Sequence, residues 1–322
     1  MPVQKYRVCL IGLGKMGSNH LRVLEAMPSV SEILCVDENI DELPLGAGKA
    51  TFVTDLESAL QEEPDYAVLA TPSSTHAPLA QSIARSKVAA LIEKPVANSE
   101  LAEQLILDEF RASGTQAFAG FVERFNSVNL ALKDLVDSGD LGSPLLVETE
   151  RIGPNPLRIK DVGVILDLGS HDIDLSQWLF GLPLEIDSSP APNSNSVKEQ
   201  FTTVSLGGTL GGSLPWRGLV SWDSPIKSRK IRVLASEGLA IANALDGSLT
   251  ILRSTGSSSE WESFRHQRGL YDAREERLLV SQKEPLLGQH EAIQDALAGG
   301  NSRPCTLEEA VRHMQPLWRS GS

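Results

Sequence analysis

The chain has 322 residues, with 42 acidic against 29 basic side chains and a formal net charge of −13. That length suits one large or two ordinary domains, and the charge argues against nucleic acid, whose phosphates demand a basic face. No apolar run approaches the roughly 20 residues of a membrane span, and no secretory leader pattern precedes the first strand, so the chain is read as cytoplasmic.

The run Tyr6-Arg7-Val8-Cys9-Leu10-Ile11 reads as a buried strand, and Gly12-Leu13-Gly14-Lys15-Met16-Gly17 follows it directly. A helix carrying His20, Leu21, Val23 and Leu24 comes next. A second apolar run, Ile33 to Val36, ends on Asp37, 20 residues after Gly17. Strand, glycine turn, helix and acidic residue at that spacing form a dinucleotide-binding arrangement. Gly12 allows the tight turn, Gly14 lets the backbone approach a pyrophosphate, and Gly17 lets helix and strand pack closely. The helix N-terminus adds N–H donors and a positive dipole. Asp37 can accept both ribose hydroxyls of NAD but repels the 2′-phosphate of NADP, and Glu38 and Asn39 supply no compensating cation. The expected cofactor is NAD.

Strands and helices then alternate. Thr51-Phe52-Val53 is a short strand, and Asp55 is an N-cap for a helix through Leu56, Ala59 and Leu60. Tyr66 to Ala70 is a buried strand closed by Thr71-Pro72, and a helix from Pro78 to about Ser86 leads to the strand Val88 to Ile92. A longer helix shows Leu101, Leu105, Ile106 and Phe110 at helical spacing, and Gln116 to Phe121 is the last strand of this half. The pattern predicts a parallel, doubly wound α/β sheet over residues 1–120.

Residues 121–322 have a different character. A helix from Ser127 to Asp137 ends at Gly139 and Gly142, and a strand begins at Leu145 to Thr149. From about residue 200 the chain reads as a meander: Phe201–Leu206, Leu214–Trp222, Lys230–Ala235, Leu239–Ala242 and Leu249–Leu252. The polar stretch 188–198 reads as a surface loop, and Leu287–Ala298 and Thr306–Trp318 as closing helices. A run of strands after a βα half predicts a separate α+β domain. Cys9, Cys35 and Cys305 show no metal-ligand spacing, and the first two fall in predicted core strands. Neither a disulfide nor a metal is expected.

Two segments carry chemistry. Glu93-Lys94-Pro95 ends a predicted parallel strand, the edge at which open α/β sheets bind ligands. Lys94 there can hold a substrate hydroxyl, and the Lys94–Pro95 bond is a candidate for a cis peptide. The plain alternative is a solvated lysine in a turn. Between Asp161 and Leu175 a largely apolar helical stretch places Asp167, His171 and Asp174 at i, i+4 and i+7. An imidazole within reach of a carboxylate suits proton abstraction near neutral pH. The alternative is a structural His–Asp pair, and Asp174 is read as a hydrogen-bond acceptor that supports the helix.

The glycine motif with His20, the segment Ala70-Thr71-Pro72-Ser73-Ser74-Thr75-His76, Glu93-Lys94-Pro95, Gly120-Phe121-Val122-Glu123-Arg124-Phe125-Asn126 and Asp167-x-x-x-His171 occur in one order. Together they resemble the glucose–fructose oxidoreductase / inositol dehydrogenase / MocA family of NAD(P)-dependent sugar oxidoreductases. The resemblance implies that Lys94, Asp167 and His171 are the catalytic group. It adds Lys15, Met16, Thr71, Pro72, His76, Glu93 and Lys94 to the cofactor site. It also implies a second α+β domain with a large, mainly antiparallel open sheet whose face builds a homodimer or homotetramer. Glu123 to Asn126 and Gly153 to Val164 are similar to UDP-N-acetylglucosamine 3-dehydrogenases, with departures at Ser127, Asn155, Leu157 and Gly169-Ser170. The substrate implied is a sugar or nucleotide sugar, with Arg124, Arg151, Arg158 and Lys160 as candidate binding cations; the last three are read as lying on a Gly/Pro-rich loop. A dehydrogenase of free sugars or inositols, and a non-catalytic NAD-dependent regulator, are the competing readings.

Overall fold

The computed structural model describes residues 4–40, 48–156, 162–188, 201–254, 273–281 and 283–319. The chain forms two compact units, one from Met1–Phe125, Ile159–Val162 and Glu284–Trp318, the other mainly from Asn126–Arg158 and Gly163–Lys283. The two C-terminal helices expected to close the second domain therefore belong to the first unit, and the expected span 121–322 is not one continuous domain.

In the first unit the strands are β1 (Tyr6–Ile11), β2 (Val30–Val36), β3 (Ala50–Phe52), β4 (Tyr66–Leu69), β5 (Ala89–Ile92) and β6 (Ala117–Ala119). They form one parallel sheet in the order β3-β2-β1-β4-β5-β6. The order reverses between β1 and β4, the switch point at which doubly wound sheets open a crevice for ligand. Helices α1 (Lys15–Ala26), α2 (Leu56–Gln61), α3 (His76–Arg85) and α4 (Glu100–Ser113) connect them. Asp55 caps α2, accepting from the Ser58 N–H at 2.8 Å. Strands β4 and β5 are buried at every residue, as strands covered on both faces must be. Cys9 and Cys35 are buried thiols, both pushed up to about 12 chiefly by burial.

Helix α4 corrects the expected apolar face. Leu101 and Leu105 are exposed, while Glu103, Ile106, Leu107 and Phe110 are buried. The inward stripe runs i, i+3, i+4, i+7 from a glutamate. Helices α7 (Pro285–Leu297) and α8 (Leu307–Arg319) complete the unit, with Leu286 and Ile293 in the same core as Val8, Leu24, Ile33 and Leu91. Burying each such aliphatic side chain contributes about 1.5–3 kcal/mol.

The second unit holds β7 (Pro144–Pro154), β8 (Leu184–Ser188), β9 (Thr203–Leu210), β10 (Leu214–Ser221), β11 (Asp223–Ala235), β12 (Gly238–Asn243), β13 (Ser248–Ser254) and β14 (Ala273–Leu279). Their order is β14-β13-β12-β11-β7-β10-β9-β8, antiparallel at every step except β10 beside β7. Residues alternate between a buried and an exposed face, as in the sequence Leu214 to Leu219 of β10. Val128 and Leu132 of α5 (Ser127–Ser138) and Leu175 and Leu179 of α6 (Ser170–Phe180) share a core with Ile231, Val233, Leu249 and Ile251. Strands β8 and β14, absent from the sequence reading, are the two edges of this sheet. The polar stretch read as a loop at 188–198 lies outside the described residues from 189 onward.

Candidate active site

The glycine loop leaves β1 at Gly12, whose φ of +89° is one that only glycine adopts without strain. A Cβ on Gly12 would fall 2.8 Å from Thr71 Cγ2 and 2.9 Å from the Ala70 carbonyl, at the end of β4. A Cβ on Gly17 would collide with the Gly12 carbonyl. At Gly14 the situation is reversed: an added Cβ meets nothing within 4 Å. The loop is packed tightly behind and open in front of Gly14, which is also the N-cap of α1 and brings no capping side chain. Asp37, just after β2, accepts from the Leu13 N–H with Oδ2 at 2.6 Å and from the Asn39 N–H with Oδ1 at 2.8 Å. An uncapped helix N-terminus, an open glycine and a fixed carboxylate at the next strand tip fit a dinucleotide. Gly12 through Gly17 would hold its pyrophosphate and Asp37 its ribose.

Thr71 and Pro72 follow β4, and the Thr75 hydroxyl donates to Thr71 Oγ1 and the Pro72 carbonyl, 2.8 Å each. His76 is buried, with Nε2 2.9 Å from the Thr71 carbonyl and Nδ1 2.9 Å from the Val96 carbonyl. Its ring fastens the loop after β4 to the segment after β5. Glu93 and Lys94 follow β5 directly, and the Lys94–Pro95 peptide is cis.

In the second unit the predicted helix is not uniform. Ile165–Gly169 winds as a π-helix before α6 begins at Ser170. A Cβ at Gly169 would make only ordinary contact, 3.4 Å from Ile165 Cγ2. Single π turns concentrate at functional sites. Asp167 lies within this turn, 8% exposed, and its Oδ2 accepts from Trp222 Nε1 at 3.3 Å. His171 stands four residues on, at the start of α6, and Asp174 is fully buried.

The candidate cations separate. Arg124 is buried in a 3₁₀ turn, with Nη1 3.0 Å from Glu309 and Nη2 3.3 Å from His313 Nδ1. Arg151 is not on a loop: it lies inside β7 and forms a buried ion pair with Asp172, Nε to Oδ1, at 2.7 Å. Both guanidiniums have protein partners. Arg158 and Lys160 lie outside the described residues. Trp222 and Asp172 escaped the sequence reading, because their partners are 55 and 21 residues away and no local spacing marks them.

Residues 6–121 match the family model described as an oxidoreductase family with an NAD-binding Rossmann fold, and residues 129–240 match the GFO/IDH/MocA C-terminal domain. The chain belongs to the Gfo/Idh/MocA family. An inositol 2-dehydrogenase of Streptomyces avermitilis is 31% identical over 220 residues, 64% of this chain and 63% of that protein. Inositol 2-dehydrogenase 2 of Saccharopolyspora erythraea is 28% identical over 195 residues, 58% of each. The chain thus matches about three-fifths of the length of these family members. Among solved structures, UDP-N-acetylglucosamine 3-dehydrogenase GnnA of Acidithiobacillus ferrooxidans superposes with a TM-score of 0.77 at 22% identity, covering 96% of this chain and 94% of that one. The WlbA dehydrogenase of Bordetella pertussis, in complex with NADH and UDP-GlcNAcA, gives 0.79 at 18% identity over 100% and 96%. At these identities the structural likeness bears on the fold alone. The Gfo/Idh/MocA fold here carries the glycine loop and Asp37 suited to NAD. Among the described residues, no helix is long and apolar enough to cross a membrane.

Proposed function

We propose that this chain is a cytoplasmic NAD-dependent dehydrogenase that oxidises a CH–OH group of a sugar, with a UDP-activated sugar such as UDP-N-acetylglucosamine, oxidised at its 3-hydroxyl, as the favoured substrate. The observation that carries the reading is Asp167, a carboxylate more than nine-tenths buried in an otherwise apolar stretch, held by Trp222 and placed four residues before His171. Burying a carboxylate is costly unless it is paired or put to use.

When bound, NAD supplies the hydride acceptor. Lys94 of the first unit and His171 of the second are the two candidates to take the proton of the substrate hydroxyl, and Asp167 would orient the imidazole or stabilise imidazolium. Trp222 fixes the Asp167 carboxylate through one N–H. The substrate diphosphate falls to Arg158 and Lys160, because Arg124 and Arg151 are already committed to Glu309 and Asp172. The exposed face of the second sheet, with Leu219 and Leu234 among charged neighbours, is where a homodimer or homotetramer would form.

The inositol 2-dehydrogenases among the sequence relatives favour a second reading, oxidation of a free polyol. NAD reduction measured across UDP-sugars, free sugars and inositols separates the two. The proposal expects turnover with a UDP-sugar and weak turnover with the sugar alone. It also expects Arg158→Ala to raise KM more than it lowers kcat, since a remote diphosphate is bound alike in ground and transition states. Efficient oxidation of free inositol with no gain from the nucleotide would overturn it.

A further inference from the structure

Side chains from α1, β4, α7 and the segment after β5 meet in one line inside the first unit. Glu93 Oε1 lies 3.1 Å from His20 Nε2 of α1, and His20 Nδ1 lies 2.9 Å from His290 Nε2 of α7. His290 Nδ1 lies 3.1 Å from the Tyr66 hydroxyl of β4. Gln294 Nε2 donates to that hydroxyl at 3.3 Å, while Ser29 Oγ donates to Gln294 Oε1 at 2.7 Å. His20, Tyr66 and His290 have no exposed surface, so bulk water does not reach the links among these three.

Counting donors and acceptors assigns the chain one direction. The Ser29 hydroxyl can donate or accept, so the direction is set at the other end, where the Glu93 carboxylate only accepts and a neutral His20 must donate to it from Nε2. His20 Nδ1 then accepts, so His290 must carry its proton on Nε2 and donate it there. His290 Nδ1 in turn accepts the proton of the Tyr66 hydroxyl, whose oxygen accepts from Gln294 Nε2. Burial, with His20 adding to it, holds His290 well below its ordinary value, and burial pushes Tyr66 up, so each keeps the single proton this scheme needs. The other titratable groups facing the line are Tyr6, whose hydroxyl donates to the Gln294 carbonyl at 2.8 Å, Asp65 and Asp295.

The far end of the line touches the proposed chemistry. Glu93 Oε2 accepts from the Lys94 peptide N–H at 3.3 Å. Gly120 closes the remaining side, because a Cβ there would sit 2.5 Å from Glu93 Oε1. The carboxylate is clamped by an imidazole, the Lys94 peptide and a bare glycine. The geometry points to Tyr66, His290 and His20 as positioning residues: a one-way hydrogen-bond chain that ends on Glu93 and sets the backbone of Lys94. This assignment rests on the reading of Lys94 as a catalytic residue, and it gives the C-terminal helix α7 a role at the site.

The test reads the chain directly, without substrate. Imidazole ¹⁵N NMR of the full chain in mildly alkaline buffer, about pH 8.5, should show His20 and His290 both as Nε2–H tautomers with Nδ1 unprotonated. Tyr66→Phe should mix the His290 tautomers and speed amide exchange at Lys94 by about tenfold or more, leaving β1 and β2 amides protected. Gly120→Ala, which displaces Glu93 from the other side, should speed Lys94 exchange in the same way. An Nδ1–H tautomer or an imidazolium at either residue in the unmodified protein would overturn the assignment, even if neither variant folds. So would unchanged Lys94 exchange in both variants, or a loss of protection spread over the whole sheet. Failure of Lys94 as a catalytic residue would show separately, as normal turnover of Lys94→Ala with both tautomers as assigned.

Discussion

The Leu13 peptide N–H binds Asp37 Oδ2 at 2.6 Å, which ties the glycine loop after β1 to the carboxylate after β2. The Asn39 N–H holds the other oxygen, so the carboxylate is set before any ligand arrives. A preset anion at the strand tip suits two ribose hydroxyls and opposes a 2′-phosphate. NAD should therefore bind about tenfold or more tighter than NADP, a difference of about 1.4 kcal/mol or more. Asp37→Ala combined with Glu38→Arg should shift preference toward NADP and also weaken NAD, because the loop loses its acceptor. Calorimetric titration of both cofactors checks this, and equal affinities for the unmodified chain would defeat it.

The catalytic assignment makes a separate demand. Lys94→Ala and His171→Ala should each keep NAD affinity within about threefold and lose roughly 10²-fold or more in turnover, the usual cost of removing a general acid or base. The measurement is steady-state NADH production with the substrate found in the sugar panel. Normal rates in both variants would remove these residues from the chemistry.

How much of this was legible in sequence depends on distance along the chain. The Rossmann half was readable because β1, the glycine turn, α1 and Asp37 are consecutive and each obeys a local rule. The Asp55 cap followed for the same reason. Strands β8 and β14 were hidden by their place at the sheet edges, where one side lacks a partner strand and charged runs such as Ala273–Leu279 are tolerated. The face of α4 was misread because a buried glutamate occupies a core position. The Arg151–Asp172 pair and the His20–His290 contact, 270 residues apart, exist only in the fold.

Glu103 predicts a pH dependence of stability. It is 1% exposed, accepts from Trp318 Nε1 with Oε2 at 2.8 Å, and has no hydrogen-bond partner at Oε1. Burial pushes its carboxyl up to about 8, Trp318 opposes the shift and Glu100 adds to it. The folded chain thus binds this proton more tightly than the unfolded chain does. The stabilisation is fully present below the unfolded value, about 4.3, and is lost as pH rises toward about 8. Glu103→Gln should flatten this part of the melting-temperature profile and gain up to a few kcal/mol above the upper end of that window. Differential scanning fluorimetry from acid to alkaline buffer reads it. An equal loss of stability at every pH would contradict the assignment.

The Arg151 and Asp172 side chains are each 4% exposed and joined at 2.7 Å. Removing one partner of a buried pair costs about 3–5 kcal/mol. Arg151→Met and Asp172→Leu should each lower the unfolding midpoint in urea by that order, whereas the double variant should recover much of the loss. Coupling of this sign marks two residues acting as one unit. It would also identify Arg151 as part of the wall of the second unit. Additive losses in the double variant, with a raised KM for the UDP-sugar in Arg151→Met alone, would return Arg151 to substrate binding.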